Sequence, residues 1–259
     1  LFRDELIFGS YLSRMTPIIF GLFYYFNFHK TKYSYLFIIF TINIYTLVFL
    51  SGERTAFIMI NLFLFLYFIK FLQLKKTLAV FITLFLIIIL ITSTNTIVKD
   101  RMVTQTKDSI FSVYNTDSKI LPGVYDNMLK TKINMFKDNI FFGIGPKMYR
   151  KKCDVSEYGI NKESCFTHPH NNYIQLISET GLVGILIFFS YYIYFFKQLI
   201  LKILKPLNSY NKKDYLSFFM ITSIFVNFFP FIPSGSFFNN WLNIFYFIPL
   251  GIYLYSQKE

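Results

Sequence analysis

Thr77-Leu-Ala-Val-Phe-Ile-Thr-Leu-Phe-Leu-Ile-Ile-Ile-Leu-Ile-Thr-Ser-Thr-Asn-Thr-Ile97 carries no charged side chain over the length that a helix needs to cross about 30 Å of hydrocarbon. The run predicts a membrane-spanning helix. Working outward, comparable apolar runs occupy residues 14–28, 33–50, 56–74, 178–200, 215–232 and 238–255. A soluble protein with buried helices would not separate seven such runs by short, lysine-bearing connections. The expected fold is all-α, a polytopic transmembrane helical bundle forming one membrane domain over residues 1–259. Residue 1 is Leu, and no basic segment with a cleavage site precedes the first run. The chain therefore reads as the C-terminal part of a longer protein, with further spans expected upstream.

The net charge of +12 does not point to nucleic acid, because the bases sit in connections between apolar runs rather than on one soluble face. Anionic membrane lipids are the expected partners of that charge. His29, Lys30 and Lys32 follow the first run, Lys75 and Lys76 the third, and Lys202, Lys205, Lys212 and Lys213 the fifth. The positive-inside rule places these connections in the cytoplasm. Alternation then puts the Ser51–Thr55 turn and a large loop, residues 98–177, on the outer face. In that loop the composition turns polar, and a loop of this length without function is uncommon. Apolar residues at 125, 128, 129, 133, 135 and 136 approximate a helical stripe, so short amphipathic helices are expected there.

Lysine is the default cation of this chain, and only five arginines occur, at 3, 14, 54, 101 and 150. All fall on or near the expected outer face. Arginine grips phosphate through a planar fork, whereas lysine is a point charge. Arg54 ends the turn Ser51-Gly-Glu-Arg54 between two spans, and Arg101 follows the fourth span in Lys99-Asp-Arg101. A Glu53–Arg54 anchor pair, or an arginine snorkelling to the headgroups, is the plain alternative.

Two motifs remain in the loop. Gly143-Ile-Gly145-Pro146 is a tight turn, a weak signal alone because spaced glycines bind phosphate only between a strand and a helix. After it comes His168-Pro-His170-Asn171-Asn-Tyr173-Ile-Gln175, leading into Glu179-Thr-Gly181-Leu-Val-Gly184. In order and spacing these residues resemble the bacterial family of O-antigen ligases and O-antigen polymerases, with its pattern of a GxGP turn, an HNxYIQ helix start and an ExGxxG continuation. The resemblance implies a metal-independent, inverting membrane glycosyltransferase that needs no cofactor and acts at the outer, periplasmic face of the bacterial inner membrane. It implies a polyprenyl-diphosphate-linked glycan as donor and a second glycan or lipid A-core as acceptor. On that resemblance, Arg54 and Arg101 contact the diphosphate and His170 is the base. His168, Asn171, Tyr173 and Arg150 complete the expected substrate contacts. The role of Glu179 stays open.

Cys153 and Cys165, the only cysteines, share this loop, and an even number of thiols in an oxidising compartment favours a disulfide. Zinc bound by these cysteines with His168 and His170 is the competing reading, but C-x11-C-x2-H-x-H matches no established structural zinc spacing. A multi-spanning transporter or lipid-glycan flippase is the alternative function class. It would line a path with ionisable residues at mid-membrane depth, and this chain gathers them at one face.

Overall fold

The computed structural model describes residues 7–31, 34–72, 74–114, 124–154, 157–159, 165 and 171–258. The protein is all-α: no strand occurs among these residues. Helices α1 (Phe8–Tyr25), α2 (Ser34–Leu50), α3 (Arg54–Phe71) and α4 (Leu74–Thr94) follow one another. A short α5 (Thr96–Lys99) runs through a π-helical turn, Asp100–Thr104, into α6 (Gln105–Tyr114). Next come α7 (Val124–Asp138), the single turn α8 (Tyr149–Lys152), α9 (Asn172–Leu204), α10 (Lys212–Asn227) and α11 (Asn240–Ser256).

Two compact units divide the chain. The first holds the residues up to Thr104, Tyr194–Phe229 and those from Phe245 on. Its centre is aromatic. Phe20 of α1 is wholly buried, with its ring 4.4 Å from Phe37, 4.9 Å from Phe63, 5.2 Å from Tyr67 and 5.9 Å from Phe219. The first three are edge-to-face pairs, which add about 0.5–1.5 kcal/mol each beyond their area. The Tyr24 and Tyr67 hydroxyls meet at 2.8 Å, so neither is left unpaired inside. α10 is buried on every side from Leu216 to Asn227 and acts as the central post of this unit. On α4, by contrast, Phe85 and Leu90 are 62% and 64% exposed, as expected of a helix whose outer face meets lipid rather than water. Arg54–Phe71, Thr77–Thr94 and Asn172–Leu204 are long and apolar enough to cross a membrane, and Tyr35–Leu50 is a shorter apolar helix.

At one end of the first unit, Asn211 and Asp214 form a reciprocal capping box at the start of α10. Lys202 and Lys205 reach the Asp214 carboxylate at 2.7 and 2.8 Å. Two of the lysines read as headgroup charges are thus tied to the fold. Arg14 is likewise not an interfacial side chain: it is buried in α1 and donates to the amide oxygen of Asn227.

The second unit holds Gln105–Ile193 and Pro230–Ile244. Its α7 lies where the stripe predicts, but the buried face is Met128, Thr131, Lys132 and Met135, while Ile133 is exposed. The 3.6-residue period selects 128, 131/132 and 135 together and turns residue 133 away. The side chain of Tyr125 lies outside the described residues.

Apolar composition continues across Gly181, so the sequence predicts one straight span over 178–200. The structure breaks that helix. Gly181 takes φ 64°, ψ −161°, and the chain folds back on itself. The Tyr173 ring lies 5.3 Å from Phe188 and 5.5 Å from Phe189, and its hydroxyl bonds to Tyr192. A straight helix would hold residues 173 and 188 about 22 Å apart. Beyond the break, Leu182–Leu204 still extends roughly 34 Å, enough to cross hydrocarbon.

Candidate functional site

In the first unit the turn between α2 and α3 is held from both sides. The Glu53 carboxylate accepts the backbone N–H groups of Gly9 at 2.5 Å and Ser10 at 3.1 Å, and so caps the first turn of α1. Glu53 thus serves α1, and no Glu53–Arg54 ion pair occurs among the described residues. Burial pushes the Glu53 carboxyl up from its ordinary value; the two N–H groups and the charges of Arg14 and Arg101 pull it back. A Cβ on Gly9 would stand 2.3 Å from the Ser51 hydroxyl and would have to displace that side chain.

Arg101 comes to the same turn. Gly52 has φ +69°, and a Cβ on it would meet the Arg101 side chain at 2.8 Å, so Arg101 lies across the turn that ends in Arg54. Arg54 opens α3, and both arginines are exposed. Arg101 sits in the π-helical turn, an irregularity that re-aims a side chain and is frequent at functional sites. The resemblance pairs these arginines, but neither the place of Gly52 under Arg101 nor the capping of α1 by Glu53 is visible in the sequence. The signal available was a glycine and a carboxylate inside a three-residue outer turn.

In the second unit the site grows from the break at Gly181. A helix that stops there leaves the carbonyls of its last turn and the N–H groups of the next helix without partners. The 140–145 turn supplies both. Ile144 and Gly145 donate to the carbonyls of Ser178 and Glu179 at 3.0 Å each, while Leu182 and Val183 donate to the carbonyls of Ile140 and Phe141 at 2.8 and 3.1 Å. The two backbones approach so closely that only glycine fits. A Cβ on Gly143 would stand 2.4 Å from the Glu179 carbonyl carbon, and one on Gly181 would stand 2.4 Å from Phe141 backbone. Both glycines have positive φ. The two motifs of the loop are thus halves of one joint.

Glu179 is 1% exposed, and its carboxylate accepts from the backbone N–H groups of Lys147 (3.1 Å) and Tyr149 (3.0 Å) and from the Gln175 amide (2.9 Å). It fixes the start of α8 rather than facing solvent. Gln175 in turn donates to the Ser236 hydroxyl and accepts the Phe237 N–H, and Ser234 donates to Asn172. These bonds tie the 234–237 segment to the start of α9. Asn171 is the cap of that helix: its oxygen accepts from Tyr173 and Ile174, and its amide donates to the Pro230 carbonyl. His170, immediately before it in sequence, and His168 lie outside the described residues.

A pocket of about 310 Å³ opens above this framework. Lys147, Arg150, Gln175 and Glu179 line one side, and Ser236, Phe238, Asn239 and Asn240 the other. Beside it, Cys153 is joined to Cys165 by a disulfide and packs with Met135 and Tyr149. Disulfide sulfurs are not thiolates, so these cysteines are not available to zinc. Among the described residues no three His, Cys, Asp or Glu side chains gather as a metal site. Lys132, 3% exposed, has its ammonium 5.7 Å from the centre of the Tyr149 ring, and burial lowers its pKa to about 7.

Residues 36–189, more than half of the chain, match the sequence profile of the O-antigen ligase family. The matched stretch contains the Gly52–Arg54 turn, Arg101, the 143–146 turn and the Glu179–Gly181 break. The chain belongs to the O-antigen ligase family. No curated protein and no solved structure matches it. As a member of the O-antigen ligase family it is a membrane protein of lipopolysaccharide biosynthesis, and its function is of the ligase type, acting on lipid-linked glycan. The far wall of the pocket, Ser236–Asn240, falls outside the residues that match the O-antigen ligase profile.

Proposed function

We propose that the protein transfers a polyprenyl-diphosphate-linked glycan to an acceptor hydroxyl at the periplasmic face of the inner membrane, as an O-antigen ligase or polymerase. The observation that carries the reading, beyond family membership, is the Arg101 side chain lying over Gly52 beside exposed Arg54. Two guanidinium groups at one turn suit a diphosphate, which offers several anionic oxygens to paired donors.

In the proposed reaction the acceptor hydroxyl attacks the anomeric carbon as the bond from that carbon to the diphosphate oxygen breaks. The diphosphate leaves with the bonding electrons. Arg54 and Arg101 stabilise the charge that develops on it, and His170 takes the proton of the attacking hydroxyl. One displacement inverts the anomeric centre, and no metal is required. His168 and Tyr173 are proposed neighbours of the substrate, Arg150 a contact to its glycan, and Asn171, whose side chain is spent on the helix cap and Pro230, a positioning residue for His170.

The test is in vitro transfer from a polyprenyl-diphosphate glycan by purified full-length wild type and Arg54→Lys. Losing one charge-assisted hydrogen bond of the fork, on the order of 1.5–3 kcal/mol, slows transfer roughly ten- to a hundred-fold. Wild-type turnover in Arg54→Lys would refute the diphosphate role. Surface polysaccharide from a deletion strain separates the two acceptors: lost chain extension marks a polymerase, and lost attachment with intact lipid-linked polymer marks a ligase.

A further inference from the structure

We propose that the 310 Å³ pocket of the second unit is a saccharide subsite selective for a sugar bearing a carboxylate, and that Arg150 and Asn240 set this selectivity. The proposal rests on the transferase reading and names which part of the substrate this pocket takes.

Most of the lining is polar, and its hydrogen-bonding capacity is unevenly spent. Among the described lining residues the carboxylate of Glu179 has its oxygens engaged by three N–H donors, and Gln175 uses its oxygen and its amide on the Phe237 N–H, the Ser236 hydroxyl and Glu179. The Asn239 oxygen accepts the N–H of Trp241. What is left facing the pocket is rich in donors: the Lys147 ammonium and the Arg150 guanidinium, which form no ion pair or side-chain hydrogen bond among the described residues, and the amides of Asn239 and Asn240, both exposed. A ligand for this surface must be rich in acceptors and carry negative charge.

Phe238 narrows the choice. It brings an aromatic ring to the lining, and a pyranose ring offers it C–H groups to pack against, which a phosphate does not. The Asn239 and Asn240 amides beside an aromatic ring match ring hydroxyls, and the Lys147 and Arg150 cations match a carboxylate on the same ring. The size is at the small end of ligand sites, fit for a sugar unit and too small and polar for a lipid chain. Glu179, through its hold on the Lys147 and Tyr149 N–H groups, places the segment that bears Arg150. Gln175 places the opposite wall. The selectivity therefore belongs to side chains on a frame made rigid by buried hydrogen bonds.

The experiment is an NMR ligand titration of the full-length protein in lipid nanodiscs with methyl glucuronide, methyl glucoside and inorganic pyrophosphate as probes, alongside the transfer assay. Methyl glucuronide is expected to bind at least about ten-fold more tightly than methyl glucoside, and Arg150→Ala and Asn240→Ala are each expected to weaken it about five- to fifty-fold. Both substituted residues are exposed, and Arg150→Lys, which keeps the charge, should fall between wild type and Arg150→Ala. Equal affinity for the two glycosides, preference for pyrophosphate, or unchanged glucuronide binding in both alanine variants would overturn the proposal even if the wild type transfers glycan. Glucuronide binding that follows the expected order in a protein that transfers no glycan would support the subsite and sink the transferase reading instead.

Discussion

Gly143 and Gly181 bear close backbone approaches at the second-unit site, and each has a φ that an L side chain adopts only at a cost of about 1–2 kcal/mol. The added methyl would also meet backbone atoms, which have no freedom to rotate away. Gly143→Ala and Gly181→Ala should each lower the melting temperature of the purified protein and abolish transfer, while Gly251→Ala, where a Cβ would meet nothing, should do neither. Equal melting of all three would show that the joint does not need glycine. Lys132 offers a second test. Its folded pKa, about 7, is depressed from the ordinary 10.5 by burial, so between these values the unfolded chain binds more protons than the folded one. Stability should therefore rise as pH climbs from about 7 towards 10.5, and it should be lost as pH falls through 7. Lys132→Met should flatten that slope in melting curves over the range; an unchanged slope would assign it to other groups.

At the scale of elements, α7, α8 and the disulfide form one small packed cluster, Met135, Tyr149 and Cys153, with Ile144 and Tyr158 against it. The cross-link closes a short loop, worth about 3 kcal/mol in the chain-entropy model. Cys153→Ser should destabilise the second unit by that order, read as earlier thermal loss of protection against limited proteolysis within 124–193. Peptide mapping without reduction should recover Cys153 joined to Cys165. Unaltered proteolysis in the serine variant would mean that packing alone holds the cluster. Much of this element was legible beforehand: Met128 and Met135 lie at helical spacing, and both cysteines lie in one polar segment. The buried Lys132 was not, because a stripe is read from apolar residues and a desolvated lysine looks like a solvated one. The break in α9 was hidden for a related reason. Hydropathy runs unchanged through Gly181, and a lone glycine in an apolar helix is usually tolerated. What breaks the helix is a turn nearly forty residues earlier, which a local reading cannot see.

For the whole molecule, the all-α character was the most readable feature, because membrane crossing imposes length and polarity on each segment separately; of the seven expected spans, three helices among the described residues are long and apolar enough to cross. The site was readable only in its parts. Arg54 and Arg101 stood out against a lysine background, yet the contact between Arg101 and Gly52 is a tertiary fact with no local signature. Asn171 caps α9, a role the sequence does not separate from a ligand-binding amide because the same side chain serves both. The four hydrogen bonds between the 140–145 turn and the two halves of α9 have a kinetic meaning. None of those amides can open while its partner segment stays in place, so the turn and the break form a single exchanging group. In hydrogen–deuterium exchange the amides of Ile144, Gly145, Leu182 and Val183 should take up deuterium at one common rate, slower than that of neighbouring loop amides. Four different rates would show that the joint opens piecemeal. A common rate would mean that the loop cannot be loosened, by ligand, protease or mutation, without also releasing the mouth of the membrane helix that follows it.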